Sequence, residues 1–379
     1  MPAQVADSER AGSKLTVKLF AAWLVIGLIL SLAGSTAAHE ITDPQPGQKI
    51  DRSMPVDSQA VVTLCVASGT LKVRGWEKNE IHVRSLDASR IEFRRIDKAK
   101  DMSTPAHRVD VMVLDKTSVA NPRSDCQAIA SVEMDVPAGA TVQVQTRDGD
   151  ITIAGVAGAY AGSQNGDIEI ERVTKLVEAG SLGGSIFLKD SSGRVHLSSA
   201  GGVVEVMNVR PVTVEDTFEV GTVSGDIQLN RVSNPKVTVK TVNGTVTMTG
   251  PLAKSGSYGF TNMAGDLILA MPDDASFRLN AKVSEKHGLL SDFALKYVSE
   301  APPAPPATPR QPVPVSTPQP PTAKGQPLPR TGPIVAPIRV ERPTGPAQYV
   351  LKRVNAVCGT GDAMISISSF LGSVRLKKI

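Results

Sequence analysis

The sequence predicts an all-β chain folded as a parallel β-solenoid, a β-helix-like repeat fold, with a long Pro-rich insertion. Three observations predict it. A short phrase recurs: a turn residue, a Gly, a small polar residue, then an aliphatic-x-aliphatic triplet. It reads DGDITI at 148–153, NGDIEI at 165–170, SGDIQL at 224–229, NGTVTM at 243–248 and AGDLIL at 264–269, with weaker copies at 184–188, 193–197, 202–206 and 372–376. The repeated Gly falls at 149, 166, 184, 202, 225, 244 and 265, a near-constant step that marks a stacked, quasi-one-dimensional architecture. Beyond the first residues there is no sustained apolar stripe at helical spacing.

Taken in order, residues 1–38 read as an export signal. Lys14 and Lys18 precede an apolar run over 19–32, and the small residues at 34–38 place cleavage after Ala38. The run is short for the ~20 residues of a membrane span, so no transmembrane segment is expected once the signal is cut. The stretch 32–35 resembles a lipoprotein signal box in which Ser stands where the lipid-bearing Cys would be. Residues 39–56, polar and containing Pro and Gly, read as an N-terminal tether.

Residues 57–300 read as the β-solenoid domain. Its opening strands alternate in polarity, as at Val62, Leu64 and Val66, and at Val109, Val111 and Val113. Charged, irregular stretches at 86–106 and 115–128 interrupt them. From Thr141 each unit is strand, tight turn, strand, turn. Period two points the first and third triplet residues inward, stacking Ile151/Ile153, Ile168/Ile170, Ile227/Leu229, Val246/Met248 and Leu267/Leu269 into columns, while Thr152, Glu169, Gln228 and Thr247 face water. Asn-Gly and Asp-Gly between alternating runs also suit an antiparallel meander. A meander, however, gives no reason for the triplet always to lie on one side of the turn. The predicted turn residues are Gly149, Asp150, Gly166, Asp167, Gly225, Asp226, Gly244, Gly265 and Asp266, with Gly supplying positive φ and Asp tolerating it.

Residues 301–346 hold 16 of the 27 prolines and read as a disordered, basic loop. The 33 residues beyond it fall below the ~40 that fold alone without staples, and are strand-like, so 347–379 reads as terminal rungs of the same domain.

No catalytic, cofactor-binding or metal-ligating residues are expected. The five histidines form no H-E-x-x-H pattern, and neither a Walker loop nor Gly-x-Ser-x-Gly is present. His82 and His196 read as solvated surface side chains. The turn Asp alternates with Ser185, Thr245 and Ser373, which suits turn capping rather than a calcium ladder. Of the formal net charge of +4, residues 1–38 carry +1 and residues 301–346 carry +4, which leaves a near-neutral body without an electrostatic footprint for nucleic acid. Cys65, Cys126 and Cys358 allow one disulfide and leave one thiol; spacing does not choose the pair.

The export signal, the opening SGTLKVRGW at 68–76, the Val136-Pro137 turn, the serial Gly-Asp-Ile-x-Ile phrases and the closing ISISSFLGSVRL at 365–376 together resemble the bacterial "putative adhesin" family, exported domains of unknown function related to head-GIN repeats. The resemblance spans about 57–300 and 347–379, and the Pro-rich insertion departs from it. It implies an exported, non-enzymatic β scaffold in the periplasm, on the outer surface or secreted. Its partner would be an unknown protein or envelope glycan, and no catalytic residue carries over. A polysaccharide-active β-helix enzyme and a periplasmic accessory of envelope-stress signalling are the alternatives. Specificity is expected where the phrase breaks, at 86–128 and in the Pro-rich loop.

Overall fold

A computed structural model describes residues 49–97, 104–115, 126–286, 288–298 and 351–379. The export signal and the Pro-rich loop lie outside the described residues. Those described form 26 β-strands and no helix, arranged as two facing sheets wound by one chain. Each coil contributes a strand to a long-strand sheet, turns at the repeated Gly, and contributes its aliphatic triplet to a triplet sheet.

Seven coils follow sequence order, from Thr141–Asp148 with Ile151–Ala154 up to Ser257–Ala264 with Leu267–Met271. Every neighbouring pair is parallel and in register: Ile151, Ile168, Ile186, Val204, Ile227, Val246 and Leu267 form one column, Ile153 through Leu269 the next. This rules out the meander. These side chains are buried throughout, and they face Val142, Val177, Val195, Phe218, Val237 and Tyr258 from the long-strand sheet. Burying apolar area contributes roughly 25 cal/mol per Å2, and no single coil has enough of it to stand alone, so stacking is what stabilises the array.

Both ends of the stack depart from sequence order. The first coil, Ile50–Ser68 with Leu71–Trp76, lies between the Thr141 coil and a coil made by Ala106–Leu114 and Val132–Pro137. At the other end Ala363–Ser369 and Val374–Lys378 insert between the Ser257 coil and the coil of Phe277–Ser284 and Leu289–Ser291. The tail was expected at the end of the stack; it sits one coil inside it. Antiparallel strands then close each end: Glu80–Ser85 on Val132–Pro137, Arg90–Arg95 on Ala106–Leu114, and Leu351–Cys358 on Phe277–Ser284. Such caps blunt the sticky edge that a bare parallel stack would present.

The expectation of a tether over 39–56 is corrected for residues 50–56, while 39–48 lie outside the described residues. Residues 50–56 belong to the 19-residue strand Ile50–Ser68, and Ile50–Pro55 pairs antiparallel with Glu80–Ser85. Ile50, Met54 and Val56 pack on the core at near-alternate positions, and Pro55 is accommodated because this strand is a sheet edge there.

Candidate binding surfaces

The predicted turn residues stack as two ladders along one corner of the coil. Gly69, Gly149, Gly166, Gly184, Gly202, Gly225, Gly244, Gly265 and Gly372 lie one above another, and a Cβ on each from Gly149 onward would fall within 3.0 Å of the carbonyl oxygen of the Gly below. Positive φ occurs in this column at Gly69, Gly244 and Gly265 but not at Gly149, Gly166 or Gly225. The expected reason for Gly is therefore corrected: close backbone approach between coils demands it at most positions, and φ at a few. Beside the glycines, carboxylates cap the coil above. Asp150 Oδ1 accepts from Asp167 N at 3.0 Å, Asp167 Oδ1 from Ser185 N at 2.7 Å, Asp226 Oδ1 from Thr245 N at 2.7 Å and Asp266 Oδ1 from Ser373 N at 3.0 Å.

Two further columns escaped sequence reading. A buried polar side chain sits three residues before each corner Gly from Gly149 onward: Thr146, Ser163, Ser181, Ser199, Thr222, Thr241, Asn262 and Ser369. Ser199 Oγ donates to Gly184 O at 3.0 Å and accepts from Gly202 N at 3.0 Å, tying the corner together. The fixed offset was the signal. At the opposite corner, Gly155, Arg172, Asp190, Asn208, Arg231 and Gly250 all adopt positive φ, and no common residue type announces them.

Chemistry-bearing side chains collect on the outer face of the triplet sheet at its N-terminal end, on strands that flank 86–128. Cross-strand register sets Asp51, Arg84, Glu133 and Lys72 in one row and Ser53, His82, Asp135 and Arg74 in the next. Alternating charge across neighbouring strands is favourable. Asp135, nearly buried, anchors the lattice: its carboxylate accepts from Arg74 at 3.0 Å and from Arg84 at 2.9 Å, with His82 Nδ1 at 3.6 Å. His82 Nε2 meets Asp51 Oδ1 at 2.5 Å, and its ring stacks on Trp76 with centroids 5.9 Å apart. The expectation of a solvated His82 is corrected: alternation places it outward, but charged neighbours on both flanking strands and an indole enclose it. His196 is exposed, 3.6 Å from Glu219. Lys78 Nζ lies 4.7 Å over the Trp76 ring, and the indole N–H donates to Glu80 O, so this aromatic is committed to its own sheet.

Against the lattice opens a cavity of about 390 Å3, lined by Lys49, Lys72, Arg84, Thr70, Ser85 and Ser131 with Asp87 and Glu133. Three cations and three hydroxyls against two carboxylates suit an acidic or hydroxyl-rich group; Arg84 Nε is buried there without a partner. Among the described residues no group of three or more His, Cys, Asp or Glu is placed to hold a metal ion, and no helix is long and apolar enough to cross a membrane. Cys65 and Cys126 form a disulfide, Cα atoms 4.8 Å apart, beside this end of the stack, and Cys358 is a free thiol.

The family model described as Toastrack DUF4097 matches residues 66–288, more than half of the chain. Two solved structures are also similar. One is named a "putative cell adhesion protein" from Clostridium sporogenes, with 8% identity, 88% of this chain and 100% of that chain covered, and a TM-score of 0.22. The other is named a "putative adhesin" from Bacteroides fragilis, with 11% identity, 88% and 99% covered, and a TM-score of 0.30. At such values neither likeness carries an argument about function. No curated protein matches this chain.

Proposed function

The chain belongs to the Toastrack DUF4097 family, and from that premise we propose that it is an exported, non-enzymatic scaffold of the cell envelope that holds a partner protein or glycan on its N-terminal charged face. One observation carries the reading: the Arg84–Asp135–His82–Asp51 lattice and the adjoining cationic cavity are built on paired strands at the N-terminal end of the stack, where the coils run out of sequence order. Preorganised donors on such a surface recognise a partner without ordering cost. The side chains there are tied to one another as ion pairs, which suits recognition better than proton transfer. Export is supported by the Cys65–Cys126 disulfide, since such bonds persist in oxidising compartments.

The test is incubation of purified protein with cell-wall and capsular glycans and with solubilised envelope proteins, scoring retention and product release together. Retention that is lost in Arg84→Ala, with no release of products, is expected. Turnover of any glycan, or retention indifferent to Arg84→Ala, contradicts the reading.

A further inference from the structure

A second surface lies on the long-strand sheet, well away from the charged face. Outward positions in the middle of four successive strands are Gly162, Gly180, Ser198 and Gly221, in register. These glycines differ from the corner glycines. None has positive φ, and a Cβ on Gly162, Gly180 or Gly221 would meet its nearest neighbour at 3.7–3.8 Å, an ordinary contact. The fold does not require Gly there, and Gly inside a strand costs about 0.5–1 kcal/mol. In strand interiors such a glycine marks a place where a ligand or another backbone comes close.

Over Gly162, Gly180 and Ser198 lies a trough of about 460 Å3 running along the solenoid axis, and the register carries its floor on to Gly221. Three coil spacings separate Gly162 from Gly221, about 14 Å in all. Its wall is the cross-strand row Tyr160, Glu178 and His196, which the register continues to Glu219; outside its lining, two residues beyond Gly180 and Gly221, stand Leu182 and Val223, 63% and 55% exposed. Gln145 lines the trough at one end, and Lys240 pairs with Gly221 beyond the other.

We propose that this trough binds a linear glycan strand laid along the axis. The row along one side is polar and the exposed residues flanking the other are apolar, which suits a thin, two-sided occupant. A pyranose offers a C–H face to Leu182 and Val223 and a hydroxyl edge to the phenol, carboxylates and imidazole opposite. Hydroxyls both donate and accept, matching that mixed row. A peptide strand fits less well: the floor strands are paired on both sides, so their backbone groups are spent and no strand can be added.

The experiment is isothermal titration of the full chain with cellohexaose and with chitohexaose. At least one is expected to bind saturably. Gly180→Val and Gly221→Val fill the floor with a strand-favouring residue, so each should hold or raise Tm while weakening sugar binding by about tenfold or more. Leu182→Asp, flanking the trough, should weaken binding without touching the floor. Lys72→Ala, at the charged face, should leave it unchanged, which separates this proposal from the preceding one. Binding of neither hexasaccharide, binding unaffected by all three trough variants, or a proline-rich peptide that binds in the Gly180-dependent way while the sugars do not would each overturn it.

Discussion

In the coil corner a glycine and a hydroxyl three residues apart do different work, and their neighbours set the sign of each substitution. Gly166→Ala drives a methyl into the Gly149 carbonyl, where backbone cannot yield, and should cost about 1–3 kcal/mol in denaturant unfolding. Ser199→Ala removes two hydrogen bonds and should cost about 1–3 kcal/mol, whereas Thr241→Val should be neutral or stabilising, because the buried Thr241 hydroxyl has no partner. Asp216 sets a pH dependence. Burial pushes its carboxyl up, but the backbone N–H groups of Thr213 and Val212, at 2.8 and 2.7 Å, outweigh that and leave it lowered. A lowered folded pKa gives stability that is present above the unfolded value near 4 and lost as pH falls through the folded one. Asp216→Asn should therefore flatten the acid limb of the stability–pH curve below about pH 4, with little change in its shape at neutral pH. At this scale the triplets were legible because burial follows strict alternation. The left-handed corner was not, since Arg172 and Arg231 occupy φ of 53° and 55° where local preference favours Gly or Asn.

Among the elements, the long steps in the repeat are absorbed outside the strands. The 23-residue step from Gly202 to Gly225 contains the six residues between Val204–Arg210 and Thr217–Ser224, pinned by Asp216. The step of 21 from Gly244 to Gly265 contains the stretch after Val246–Thr249, where the Tyr258 hydroxyl accepts from Ala253 N at 2.6 Å. The tail matters most. Ala363–Ser369 is paired on both sides, with Ser257–Ala264 and with Phe277–Ser284, so it is an internal course of the stack. Replacing 302–345 by a short Gly/Ser linker should leave Tm nearly unchanged, while truncation at residue 350 should abolish cooperative unfolding because it leaves two sheets each missing an inner strand. A tail whose loss is silent in calorimetry would refute the inserted coil. The repeat phrase at 372–376 identified the tail as a rung; its place in the order was hidden, because register between identical columns is decided by which edge is free when the chain returns.

For the molecule as a whole, a uniform corner and a uniform core leave the two sheet faces as the variable surface. The repeat wrote the scaffold legibly because each coil solves the same packing problem. The charged face was not legible: Asp51, Arg74, His82, Arg84 and Asp135 are scattered over 85 positions and meet only through the out-of-order coil at the N-terminal end. None of them lies in the irregular stretch at 86–128, where specificity was expected; they sit on strands that flank it. The central claim is that this face, rather than the plain middle of the triplet sheet, engages the partner. Site-specific photo-crosslinking in cells addresses it most directly, with the crosslinker placed at Lys72 and, as control, at the outward-facing Thr247. Adducts in the envelope fraction from position 72, abolished by Arg84→Ala and absent from position 247, are predicted. Equal adducts from both positions, or adducts from 247 alone, would contradict the account.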